Sequence, residues 1–211
     1  MNHISIFPTS YLPPVALMSA MCKEALQCGE ILIERQETFP KQTYRNRTVI
    51  LTSNGPMALS VPVVRPNGTH TCISEIIISY SERWNINHIR ALDAAYNASP
   101  YYFFYRDEIH DILLRPFKKI LDLNEALLQL LFKKIKIETK LSYTNEFFGE
   151  DYYQRDFRKM YSYKHPESLP KMPEYVQVFR DRTPFCGNIG ILDLLFNYGP
   201  ETRDYLIKLD N

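Results

Sequence analysis

Residues 41–47 read Lys41-Gln42-Thr43-Tyr44-Arg45-Asn46-Arg47, two guanidiniums flanking an amide with an ammonium just upstream. A guanidinium offers a rigid fork of donors that matches the paired oxygens of a carboxylate or phosphate. The chemistry this cluster implies is anion binding, with Arg45 and Arg47 as a clamp, Asn46 orienting the ligand and Lys41 adding charge. In an extended strand Arg45 and Arg47 share a face and Asn46 points away, so the three converge only in a loop. The competing reading is an ion-paired strand edge, with Glu34 or Glu37 as the partner.

Further positions carry candidate chemistry. Tyr11 lies in Tyr11-Leu12-Pro13-Pro14, where the prolines stiffen the backbone and can aim the phenol into a pocket. Trp84 and His88 are four apart and share a helical face; a ring beside an imidazole suits a sugar or nucleobase, and it equally suits a packed core. Asn188, after Gly187, stands at the start of an apolar helix whose N-terminus can bind an anion or simply be capped. Asp193 lies within that apolar run and needs a partner if buried, an arginine of the first cluster being one choice. Tyr152-Tyr153 and Asp156-Phe157-Arg158 fit either a lid or a solvated loop.

Other chemistries lack their motifs. There is no HExxH or HxxxH spacing, nucleophile elbow, Walker loop or dinucleotide fingerprint, so neither a metal site nor a cofactor is evident. Cys22, Cys28, Cys72 and Cys186 include no CxxC pair and read as reduced thiols. With a net charge of +1, the chain has no basic field to draw nucleic acid. No signal peptide or membrane-length apolar run is visible, which predicts a cytoplasmic protein without a membrane span.

The elements that would position these residues follow from periodicity. Ile4–Phe7 reads as a strand, the prolines after it as a loop, Val15–Cys28 as a helix ended by Gly29, and Glu30–Glu34 as a buried strand. That is a βαβ unit with parallel neighbouring strands, and ligands of such sheets sit beyond the carboxyl ends of the strands. Apolar runs around Ser53-Asn54-Gly55-Pro56 predict a hairpin, and Ile73–Ser79 a further strand. Helices follow over 82–97, 100–114 and 124–135. Residues 139–174 read as irregular loops, Tyr175–Phe179 as a strand, and 189–197 and 201–209 as helices. The fold class is therefore α/β: a Rossmann-like, partly parallel sheet with a β-hairpin and a helix-rich second half. One domain is expected over 1–211, with a core over 1–80, a helical part over 81–136, and an irregular segment with terminal helices over 137–211.

Three blocks carry a family resemblance: Tyr11-Leu12-Pro13-Pro14, Lys41 to Arg47, and Gly187-Asn188-Ile189-Gly190-Ile191-Leu192-Asp193-Leu194-Leu195-Phe196-Asn197-Tyr198-Gly199. In this order, with Trp84 and His88 between them, they resemble the WbqC-like proteins, in the compact form common in Bacteroidetes. The likeness runs from about Ser10 to Leu206. Longer relatives open the first block with His-Gln-Pro-Asn-Tyr-Leu-Pro-Trp; here the histidine position holds Phe7, so chemistry using that imidazole is absent.

Genes of this family often lie among those for surface polysaccharides. The resemblance therefore implies an anionic small-molecule ligand, a nucleotide-sugar or an activated acyl or aminoacyl donor. If the protein is an enzyme, transfer is the implied reaction. The alternative is a non-catalytic binding or scaffolding subunit with a protein partner or a second copy of itself.

Overall fold

The computed structural model describes residues 5–149, 152–160 and 172–209. The βαβ unit forms as its sequence dictates. Strand β1 (Ser5–Pro8) is buried throughout, helix α1 (Val15–Cys28) crosses over, and β2 (Glu30–Glu34) returns parallel to β1 with Phe7 opposite Ile33. Gly29 ends α1 at φ 70, a left-handed turn that glycine enters without a Cβ penalty, and its N–H bonds the Ala25 carbonyl.

The sheet is larger than the periodicity predicts. Within the segment read as irregular loops, Lys140–Tyr143 forms β7, parallel to β2, and Arg155–Asp156 forms β8, parallel to β1. The order is β7-β2-β1-β8. These two strands are short and weakly patterned; they exist because β1 and β2 offer backbone donors and acceptors that buried strands must satisfy. All four strands run the same way, so Pro8, Glu34, Tyr143 and Asp156 end at one edge.

The predicted hairpin is β3 (Arg47–Thr52) with β4 (Gly55–Ser60), turning at Ser53-Asn54. The predicted strand 73–79 is instead a 3-10 turn over Ile73–Glu75 followed by the two-residue β6 (Ile77–Ile78), which pairs with β5 (Val63–Val64). Residues 175–179 form no strand. The Gln177 and Phe179 carbonyls instead accept turn bonds from the Arg180, Arg182 and Thr183 N–H groups.

Helices α2 (Trp84–Tyr96), α3 (Tyr102–Leu114) and α4 (Ile120–Lys134) form the middle of the chain, and α5 (Ile191–Tyr198) and α6 (Thr202–Lys208) its end. Helix α4 starts a turn before the expected Asn124. That asparagine is buried inside the helix, and its amide donates to Thr9 Oγ1 (3.1 Å) and the Arg45 carbonyl (2.8 Å). Apolar residues of α1, β2 and α2–α6 share one core cluster, which ties the terminal helices to the opening βαβ unit. No helix among the described residues is long and apolar enough to cross a membrane.

Candidate functional site

The carboxyl edge of the parallel sheet carries a buried charged network. Glu34, the last residue of β2, has 0% exposure. Its Oε1 accepts from Thr144 Oγ1 (2.6 Å) and the Gln36 N–H (2.7 Å), and its Oε2 lies 3.2 Å from an Arg158 nitrogen. Arg158 also grips Asp156, at the end of β8, through Nε (3.0 Å) and a terminal nitrogen (2.5 Å), and donates to the Phe148 carbonyl. Burial works against the Arg158 charge, yet its hydrogen bonds to Asp156 and the nearby Glu34 and Glu37 hold its pKa above the usual guanidinium value. Burial also raises the Asp156 carboxyl, but its bonds to Arg158 outweigh this and hold it below the usual carboxylate value.

Arg45 joins this network. Residues 41–46 are a bent loop, with Gln42 at φ 56, and the Arg45 fork closes on Glu37 at 2.8 and 2.9 Å while donating to the Arg158 carbonyl at 2.9 Å. Burial raises the Glu37 pKa, opposed by the Arg45 charge. The ion-paired reading of Arg45 is thus the one adopted, with Glu37 as partner. Asn46 turns its amide to the Val61 carbonyl (2.8 Å), Arg47 donates to Ser60 Oγ (2.9 Å), and Lys41 is exposed. In this state the three residues 45–47 face three different partners.

Among the described residues, the edge presents three carboxylates (Glu34, Glu37, Asp156) against two guanidiniums (Arg45, Arg158). Arg35 flanks it, donating to the Thr144 carbonyl and Asn145 Oδ1. Phe147 lies under the Arg158 guanidinium at 5.0 Å, and Phe148 stacks on Tyr152 at 4.1 Å. At the position where longer relatives carry histidine, Phe7 is fully buried and stacks on Phe157 at 4.6 Å and 3°. The sequence signal for the acidic part of this site was a glutamate ending an apolar strand. Asp156-Phe157-Arg158 stood out only as a lid or solvated loop, because Glu34, the carboxylate that draws Arg158 to the sheet edge, lies 124 residues away.

Tyr11, Trp84 and His88 meet in the core. Tyr11 Oη lies 2.8 Å from His88 Nδ1, and the Trp84 ring meets His88 edge-on at 5.2 Å. Leu12 sits at φ 50, a strained conformation for a residue with a Cβ, and the turn is held by bonds from the Tyr11 N–H to the Tyr44 carbonyl and from Thr48 Oγ1 to the Leu12 carbonyl. Burial pushes the His88 pKa down to about 4, against a hydrogen bond to the Ser60 backbone. The neutral ring fits both contacts when the Tyr11 hydroxyl donates to Nδ1 and Nε2–H donates to Ser60.

Asn188 does not cap its own helix. Its Oδ1 accepts from the Ala16 N–H at 2.8 Å, at the start of α1. The Val15 N–H bonds the Ile189 carbonyl, and the Ile191 N–H bonds the Pro13 carbonyl. The crossover helix N-terminus, where related parallel-sheet folds seat phosphates, is therefore occupied by the chain's own segment 188–191. Gly190 is required there: a Cβ would come within 2.3 Å of Thr48 Oγ1 and 2.9 Å of the Val49 carbonyl. Asp193 is buried and does have partners, which are not the arginines of the first cluster. Its Oδ1 accepts from Tyr175 Oη (2.7 Å) and Gln177 Nε2 (2.8 Å), and burial raises its pKa. Tyr11 and His88 thus bond each other, while Arg45 bonds Glu37, Arg47 bonds Ser60 and Asp193 bonds Tyr175 and Gln177, so the five do not converge on one cluster.

These features define an α/β protein with a parallel sheet, a closed crossover-helix N-terminus and a charged carboxyl edge. The model of the WbqC-like protein family matches residues 9–158, and the chain belongs to that family. It is 27% identical over 231 aligned residues to the uncharacterised protein Rv1507c of Mycobacterium tuberculosis, covering 98% of each chain. No solved structure matches.

Proposed function

We propose that the chain binds an anionic activated donor, a nucleotide-sugar before an acyl or aminoacyl donor, at the carboxyl edge of its parallel sheet, and serves group transfer in surface-polysaccharide biosynthesis. The observation that carries this reading is the fixed array of Glu34, Glu37, Asp156, Arg45 and Arg158 at that edge. Compensated carboxylate–guanidinium pairs grip neutral hydroxyls by paired hydrogen bonds, and exposed rings such as Phe147 and Tyr152 suit the apolar face of a sugar. The excess carboxylate disfavours a phosphate among these arginines. The reading therefore gives the donor's phosphates to Lys41 and Arg35 at the rim.

A thermal-shift titration with nucleotide-sugars, ATP and acyl-coenzyme A tests it. A donor at about a hundredfold over its Kd should add about 2.7 kcal/mol, roughly 5–10 °C in Tm for a chain of this size. Lys41→Ala, at an exposed position, should weaken binding without lowering the unliganded Tm. No shift with any donor at millimolar concentration would overturn the reading.

A specific observation favours a second reading, a binding or scaffolding subunit. On α3, Phe104 is 74% exposed, and Phe103 and Leu114 are also exposed. Phe103 and Phe104 stand side by side in the first turn of the helix, exposed rings of the kind used by partners. Phe104→Glu should then abolish a co-purifying complex or self-association seen by sedimentation.

A further inference from the structure

Residues of segment 174–185 and Tyr198 line an open cleft of about 470 Å³, within the usual range for small-molecule sites of roughly 300–1,000 Å³. None of its lining residues belongs to the sheet-edge network. Its walls are held in place from below. Asp193 Oδ1 receives both the Tyr175 hydroxyl and the Gln177 amide. Gln177 then brackets Cys186, donating to its carbonyl and accepting from its N–H, each at 3.0 Å, so that one side chain closes the neck of the loop 177–186. Tyr205 Oη fastens the approach by donating to the Pro173 carbonyl at 2.6 Å. The cleft is therefore preformed, which lowers the ordering cost of binding.

The lining combines rings with charges of both signs. Tyr175 meets Phe185 edge-on at 5.2 Å and stands 6.1 Å from Tyr198. Glu174 and Arg180 line the same cleft and are exposed. They do not pair with each other. Among the described residues, Arg180 has only its neighbour Asp181 within 4.0 Å, both groups exposed, and Glu174 has no ion pair or hydrogen bond. A pure anion would meet repulsion from Glu174, and a pure cation from Arg180. A ligand with both charges on one carbon and an aromatic side chain satisfies the whole lining.

We propose that this cleft binds a free α-amino acid with an aromatic side chain, its carboxylate on Arg180, its ammonium on Glu174, and its ring among Tyr175, Phe185 and Tyr198. The site stands apart from the sheet-edge reading, and either can fail without the other.

Isothermal titration of the full chain with L-phenylalanine, L-tyrosine and L-tryptophan tests it, with phenethylamine and 3-phenylpropionate as half-charged analogues. At least one amino acid should titrate with unit stoichiometry, and each analogue should bind about tenfold more weakly or worse, a loss of about 1.4 kcal/mol. Arg180→Ala should weaken the amino acid but not phenethylamine, and Glu174→Gln should weaken the amino acid but not 3-phenylpropionate. Both side chains are exposed, so neither variant should move the unliganded Tm. The absence of heat with all three amino acids at about 10 mM, equal binding of an analogue, or unchanged affinity in both variants would overturn the proposal.

Discussion

The side chain of Asn188 caps the crossover helix from 172 residues down the chain: its Oδ1 accepts the Ala16 N–H at 2.8 Å. With the bond from the Val15 N–H to the Ile189 carbonyl, it fastens segment 188–191 to the first turn of the crossover helix. Asn188→Ala leaves the Ala16 N–H without its acceptor and should cost about 1–2 kcal/mol, whereas Asn188→Asp, which keeps an acceptor beside the helix N-terminus, should cost less. Urea unfolding of the two variants measures the difference; a loss below about 0.5 kcal/mol for the alanine variant would show that the cap contributes little.

Arg158 bonds two carboxylates at the sheet edge, one of them fully buried. Arg158→Ala abandons Glu34 and Asp156 together and should destabilise by about 3–5 kcal/mol. The added substitution Glu34→Gln should recover part of this, because it removes the stranded charge. Denaturant curves for the single and double variants form the cycle, and independent, additive losses would argue against a coupled network.

His88 gives a stability term with a defined sign. Its folded pKa, about 4, lies below the ordinary value near 6.5, so the unfolded chain binds the proton more readily between these limits. The neutral buried ring contributes fully above about pH 6.5, and that contribution is lost as pH falls toward 4, by up to about 3 kcal/mol. His88→Gln should flatten this part of the pH dependence of Tm, even though the variant is less stable at pH 7. A parallel pair of curves would refute the assignment.

Asp193 has the opposite sign. Burial raises its folded pKa, so the unfolded carboxyl ionises first and stability is lost as pH rises above about 4. Asp193→Asn keeps an acceptor for Tyr175 and Gln177 without the buried charge, and should match or exceed the native stability at pH 7. Asp193→Ala strands both donors and should cost about 2–4 kcal/mol. Guanidinium midpoints at pH 5 and 8 separate the two effects.

Local pattern alone determined much of this protein. The α1 helix with its Gly29 stop, strand β2, the Asn54-Gly55 hairpin and the three middle helices all follow from periodicity and turn chemistry, which act over a few residues. The parallel edge followed from the βαβ order, and the family from three short blocks.

Tertiary structure decided the rest, for one physical reason: a buried polar group takes its partner from space rather than from sequence. Strands β7 and β8 form because β1 and β2 leave backbone groups to pair. Clamp and ion pair both fit Arg45 in the sequence; the fold sets Glu37 and the Arg158 carbonyl against its fork. Pocket and core both fit Tyr11 and His88; the fold bonds the two to each other inside the core. The sequence named the groups that need partners, and only the packed chain assigned them.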